Sequence, residues 1–167
     1  MKNLEIKVKV PSLESIKESL SFATFSGNLH QKDTYYLVGE RRLKLREQKN
    51  LKEIIYYTRQ NKKNTRESKY FRLTVPQLLL SSVKNFLSFL FKEKTVVEKE
   101  RNLYLYKHTR IHLDDVKRLG SFVELETVFS GRNSTDSLLK EHEEIKNKLK
   151  LESFQSIPGS YSDLLHI

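Results

Sequence analysis

Cysteine is absent from this chain, which removes disulfides, thiolate metal sites and cysteine nucleophiles together. Glycine is scarce: five glycines, well scattered, build neither a Gly-x-x-x-x-Gly-Lys phosphate loop nor a dinucleotide fingerprint. The five histidines never fall at His-Glu-x-x-His spacing, so a zinc hydrolase is not expected. No apolar run approaches the roughly 18 residues that span a bilayer, and the N-terminus lacks the apolar core of a signal peptide. The expectation is a cytoplasmic protein without a membrane segment. Apolar residues are also few, at 37% of the chain against 31% charged. That ratio is lean for a dense globule and tolerable for a barrel with a wet interior.

Positive charge is abundant. The formal net charge is +10 over 167 residues, which calls for an anionic partner: nucleic acid, a phosphorylated metabolite or an acidic membrane surface. The length suits one domain covering 1–167, with no repeat and no composition break to divide it.

The charges are patterned. In Asn3-Leu4-Glu5-Ile6-Lys7-Val8-Lys9-Val10 charged and apolar residues alternate from Leu4 onward, and side chains along a strand point to opposite faces with a period of two. Glu5, Lys7 and Lys9 therefore share one face and Leu4, Ile6, Val8 and Val10 the other. Arg42, Lys44 and Arg46 repeat the device opposite Leu43 and Leu45. A ring of such strands encloses its charges and turns its apolar face outward under helices.

Further strands are expected up to Val38 after a loop at Ser26-Gly27-Asn28, then over 41–47, 51–58, 66–74, 95–106, 109–115 and 121–129. Gly39-Glu40 suits a tight hairpin turn, and 60–64 reads as an exposed, mobile connection. Helices are expected after Ser12, from Pro76 with Leu79, Val83, Phe86, Leu87 and Leu90 packed on the barrel, and after Ser134 or Thr135 with His142 as a packing residue. The tail to Leu165 reads as docked. The fold class is α+β: an eight-stranded antiparallel β-barrel with a charged lumen and about three helices outside.

Parity assigns nine basic and four acidic residues to that lumen: Lys7, Lys9, Arg42, Lys44, Arg46, Arg59, Lys99, Arg101 and Arg110, with Glu5, Asp114, Glu124 and Glu126. Such a face repels itself when empty. Carboxylates of this kind suit Mg²⁺ or Mn²⁺ held jointly by protein and phosphate. Cations beside metal-binding acids describe a triphosphate site better than a nucleic-acid groove, which would carry few inward acids and exposed aromatics. His112 shares the parity of Arg110 and Asp114 and is read first as a structural, hydrogen-bonded histidine.

Several blocks together resemble the CYTH superfamily of class IV adenylyl cyclases and thiamine or inorganic triphosphatases. They are Glu-Ile-Lys-Val-Lys at 5–9, Gln-Lys-Asp-Thr-Tyr-Tyr at 31–36, Arg-Leu-Lys-Leu-Arg-Glu at 42–47 and Ile-Tyr-Tyr-Thr-Arg at 55–59. Glu-Lys-Glu-Arg at 98–101, Thr-Arg-Ile-His-Leu-Asp at 109–114, Gly-Ser-Phe-Val-Glu-Leu-Glu at 120–126 and Ser-Tyr-Ser-Asp-Leu-Leu at 160–165 complete them. The texture is most like the cyclase branch.

The resemblance implies a triphosphate tunnel with Lys7, Lys9, Lys44, Arg46, Arg59, Lys99, Arg101 and Arg110 on phosphate oxygens. Glu5, Asp114, Glu124 and Glu126 would hold Mg²⁺ or Mn²⁺, with Lys9, Arg46 and Glu124 nearest the chemistry. The family's Glu-x-Glu-x-Lys, laid on residues 5–9, has Lys7 at its middle glutamate. Three functions follow: conversion of ATP to cyclic AMP and pyrophosphate, hydrolysis of tripolyphosphate or thiamine triphosphate, or binding of a nucleotide or polyphosphate without turnover. A homodimer is compatible with all three.

Overall fold

The computed structural model describes residues 2–39, 41–62, 65–129 and 134–165; for residues 2, 58–62 and 65–70 the description is of backbone alone. Eight strands are β1 (Lys2–Lys9), β2 (Thr24–Val38), β3 (Arg41–Glu47), β4 (Lys52–Lys62), β5 (Thr65–Thr74), β6 (Glu93–Tyr106), β7 (Thr109–Val116) and β8 (Gly120–Phe129). They follow the order β1-β5-β4-β3-β2-β6-β7-β8 around a curled, antiparallel sheet that returns to β1. Seven of the eight seams are long ladders. The eighth, β1 to β5, carries two residue pairs, Lys2 with Glu67 and Asn3 with Arg66.

The tail enters that short seam beyond the last strand pair. Lys9 N–H donates to the Gln155 carbonyl at 3.1 Å and Ile157 N–H to the Lys7 carbonyl at 2.8 Å. The expected docking of the terminus is thus a backbone pairing along β1.

Helices α1 (Glu14–Glu18), α2 (Leu80–Leu90), α3 (Thr135–Lys148) and α4 (Tyr161–Leu164) surround the sheet. The outward residues of β1, β6, β7 and β8, among them Val8, Tyr104, Ile111, Leu113 and Leu125, are covered by Ile16 of α1 and Ile145 of α3. A second cluster packs Leu87 of α2 over Tyr36, Leu43 and Leu45 of β2 and β3. Ser134 caps α3 by accepting the Ser137 N–H at 3.2 Å. His142 is indeed buried by packing: its Nδ1 lies 2.9 Å from the Thr127 hydroxyl.

Several boundaries differ from expectation. β2 begins at Thr24, running through Ser26-Gly27-Asn28, because a register shift between Phe25 and Gly27 absorbs the turn-like residues as a bulge. Gly27 has φ +147 there, a conformation that side chains rarely adopt. Gln60, Asn61 and Lys62, read as an open connection, are strand, paired down to Lys62 with Thr65. Lys63 and Asn64 lie outside the described residues, as does Glu40 of the expected Gly39 turn. On α2, Val83 and Leu87 meet the barrel but Leu79, Phe86 and Leu90 are exposed.

Ile145 has no exposed surface and joins α3 to the sheet. Ile145→Ala is expected to lower unfolding stability by about 2–5 kcal/mol in urea titration, whereas Leu139→Ala on the outer face of α3 changes it by about 0.5 kcal/mol or less.

Candidate functional site

Inside the sheet, two aspartates organise the charges. On β2 and β3, Lys44 Nζ donates to Asp33 Oδ2 at 2.7 Å, and Arg46 grips both Asp33 oxygens with two bonds of 2.7 Å. On β6 and β7 the arrangement recurs. Lys99 Nζ donates to Asp114 Oδ2 at 3.1 Å and Arg101 binds both Asp114 oxygens at 2.6 Å. Each carboxylate thus stands between a lysine and a bidentate arginine two residues apart on one strand, a Lys-x-Arg clamp. Two acids face four cations.

Lys7 of β1 joins them, buried, with Nζ 3.4 Å from Glu124 Oε2 and 4.0 Å from Glu5 Oε1. Arg101 also reaches Glu124, at 3.5 Å. One end of this interior is sealed by the apolar cluster of Tyr35, Val97, Val116, Phe122, Ile157 and Tyr161. Tyr161, carried on α4, donates its hydroxyl to Asp114 Oδ2 at 2.8 Å, and its ring lies under Lys7 and Lys99 at 4.3 and 4.9 Å. Arg42 ties α4 to β3 through Ser160 and Asp163.

The electrostatics follow from crowding. Burial first, then Arg46, pushes the Lys44 ammonium down to about 7, and burial with Arg101 pushes Lys99 down to about 8. Burial alone would raise Asp33, Asp114 and Glu124, but Lys44 and Arg46, Arg101 and Lys99, and Lys7 and Arg101 respectively hold them well below the carboxylate range. His112 is lowered to about 3 by burial and Arg101, so its ring is neutral at neutral pH. Its Nδ1 has no hydrogen-bond partner, and the Gln31 side-chain oxygen is likewise buried without one.

The sequence-derived set is therefore divided by the structure. Lys7, Lys44, Arg46, Lys99, Arg101, Asp114 and Glu124 come together in the interior. Arg42 is bound to the tail. Lys9 is exposed at the sealed end, its Nζ 5.9 Å from the Phe122 ring. Arg110 is exposed and paired with Glu126 at 3.2 Å. The Arg59 side chain lies outside the described residues; its backbone pairs with Ser68. Asp33, Gln31 and Tyr161 are the site residues that parity missed.

At the other end of β1, Glu5 and Glu126 stand directly opposite each other across the β1–β8 ladder. Facing carboxylates repel unless a cation lies between or beside them, and here Lys7 lies 4.0 Å from Glu5 and Arg110 3.2 Å from Glu126. Asn3 donates its side-chain N–H to Glu126, and its carbonyl oxygen is buried without a partner. Among the described residues no three acids or histidines converge as a metal cluster, but two carboxylates and this amide oxygen offer hard donors to a divalent ion. Asn3, Glu5 and Lys7 share one face of β1, Asn3 with its side chain on Glu126 and Lys7 with its ammonium beside Glu124 and Glu5.

These shifts set a pH dependence. Unfolded, Lys44 and Lys99 hold their protons to about 10.5; folded, they release them near 7 and 8. The unfolded chain binds more protons across that window, so stability of the ligand-free protein is expected to rise from about pH 7 to pH 10. Urea midpoints that fall over this range contradict the crowding.

Comparison with known proteins agrees with this architecture. The CYTH domain family model matches residues 1–161. A "putative adenylate cyclase" of Methanocaldococcus jannaschii is 36% identical over 74 residues, which is 44% of this chain and spans 42% of that relative's length. The PH1012 protein of Pyrococcus horikoshii superposes with TM-score 0.81 at 24% identity, covering 97% of this chain and 98% of its own. A "putative adenylyl cyclase" of Hippeastrum, described as having a dominant triphosphatase activity, superposes with TM-score 0.71 at 10% identity, covering 98% and 93%. With the family model spanning nearly the whole sequence over a curled eight-stranded sheet, the chain belongs to the CYTH domain family.

Proposed function

We propose that this protein binds a triphosphate chain inside the barrel and hydrolyses it. The observation that carries the reading is the doubled Lys-x-Arg clamp, four cations on two aspartates, with Lys7 buried beside Glu124 and Tyr161 sealing one end. At the two clamps a polyphosphate meets four cations against two aspartates, while Lys7 and Arg101 also face Glu124, in an interior where field strength is not diluted by water. The described interior offers cations and few apolar surfaces apart from its sealed end, which suits phosphates better than a purine.

The reaction is attack of water on a terminal phosphorus, breaking the bridging P–O bond and releasing orthophosphate and a diphosphate. Lys44, Arg46, Lys99 and Arg101 orient the chain and spread the charge that develops on the leaving oxygens. Neutral His112, with Nδ1 unpartnered, can accept a hydrogen bond from a water beside the bound chain. The family generally uses divalent metal ions. Glu5, Glu126 and the Asn3 carbonyl would hold one here, where it would withdraw charge from phosphoryl oxygens. Asp114 and Glu124, closely held by cations, act as counter-ions that set the clamps.

A second reading is the cyclase reaction, in which the ribose 3′-hydroxyl of ATP attacks the α-phosphorus and pyrophosphate leaves. It rests on the name of the Methanocaldococcus relative.

Incubation with tripolyphosphate, thiamine triphosphate or ATP, each with Mg²⁺ or Mn²⁺, separates the readings by product: orthophosphate for the first, cyclic AMP with equal pyrophosphate for the second. Binding without either product leaves a non-catalytic receptor. Arg46→Ala is expected to weaken tripolyphosphate binding roughly 10- to 100-fold, the loss of one charge-assisted contact and of the cation that balances Asp33, with the far-ultraviolet circular dichroism unchanged. Glu126→Gln is expected to raise the Mn²⁺ concentration for half-maximal activity about tenfold while leaving metal-free tripolyphosphate affinity unchanged or tighter.

A further inference from the structure

The second helix leaves a large apolar face in water. Leu78 is 94% exposed, Phe89 86%, Phe71 62% and Phe86 61%. Leu73, Leu79 and Leu90 are each about half exposed. These residues are neighbours. Leu78 and Leu79 form the turn that enters α2, while Phe86, Phe89 and Leu90 follow Leu79 at helical spacing, Phe89 on the side away from Val83 and Leu87 and Phe86 and Leu90 at the margin of the covered face. Leu73 of β5 is paired with Ile54, which packs beneath α2, so the β5 residues extend the same surface.

The apolar arc of α2 is wider than the part the barrel covers. Here Leu87 and Val83 meet the barrel, while Phe86 and Phe89 stay mostly in water. Taking a phenylalanine as roughly 200 Å² and a leucine as somewhat less, the seven residues present about 800 Å² of apolar surface. That exceeds the 300–600 Å² of the largest patch on a typical monomer and equals the share, about 800 Å², that each partner contributes to a standard interface.

We propose that this face is the contact of a two-fold homodimer, with α2 packed against α2 of a second copy. A two-fold contact puts the same patch on both sides, so the patch must not repel itself. On a chain of net charge +10 this region qualifies: α2 carries a single charged residue, Lys84, whose ammonium is held by Glu47 at 2.8 Å. The polar residues on the outer side, Ser81, Ser82 and Asn85, are neutral, and the serines are short enough to let two helices approach to the 8–10 Å typical of packed pairs. A helix that lies on a membrane would instead flank its apolar stripe with lysine and arginine.

The test is sedimentation equilibrium of the full chain from about 1 to 100 μM, with Phe89→Glu and Ser82→Arg, each at an exposed position that leaves the inner stripe intact. The native protein is expected to be a dimer in this range, and both variants to associate at least 100-fold more weakly with unchanged circular dichroism. A native protein monomeric throughout overturns the proposal. So does a native dimer that neither variant weakens, since the contact then lies elsewhere. A monomer that co-sediments with anionic phospholipid vesicles, and loses this with Phe89→Glu, overturns it in favour of a membrane surface.

Discussion

Charge concentration inside a low-dielectric enclosure is the constraint around which this molecule is built. Four cations are held on two aspartates, and the geometry repeats: Lys44 and Arg46 on Asp33, Lys99 and Arg101 on Asp114. Such pairs cost desolvation energy and contribute little net stability in proteins generally. Their presence at this density is understandable if the surplus positive charge is meant for a ligand. Burial first, and then the neighbouring Arg46 and Arg101, lower Lys44 and Lys99, and a bound polyanion would favour their charged forms again.

The C-terminal segment belongs to the same device. Its backbone pairs along β1 where β5 does not, and its Tyr161 closes the apolar end while donating to Asp114. The carboxylate that fixes Lys99 and Arg101 is thereby also fixed by the tail. Arg42, on the strand of the other clamp, anchors Asp163 of the same helix. Docking of the tail and preorganisation of the cations are therefore coupled through shared side chains, and positioning of this kind is the main resource of phosphoryl-transfer sites.

Alternation made much of this legible. Where a strand keeps strict period two, as in Glu5 and Lys7, Lys44 and Arg46, or Lys99 and Arg101, parity predicts the interior face. It falls short where the backbone departs from that period. Asp33 and Gln31 lie on β2, whose bulge at Phe25 and Gly27 reads as a loop, so the strand's inward face had no register to count from. Lys9 keeps the parity of Lys7 yet is exposed beyond the apolar cluster at the sealed end, because parity gives the face of a strand and not the depth along it. Tyr161 sits on a helix of four residues that folds back onto the site, a tertiary placement without a periodic signal. The outward stripe of α2 was hidden for a different reason: residues apolar on both sides of a helix do not say which side the barrel covers.

Anion binding at the clamps returns protons to their lysines. Isothermal titration calorimetry of tripolyphosphate at pH 8, repeated in two buffers of different ionisation enthalpy, measures the protons taken up on binding. Uptake of close to one proton or more, as Lys44 and Lys99 regain their charge against phosphate, is the result expected, with uptake declining toward pH 6. Absence of binding, or binding with no proton uptake at any pH between 6 and 9, would contradict it.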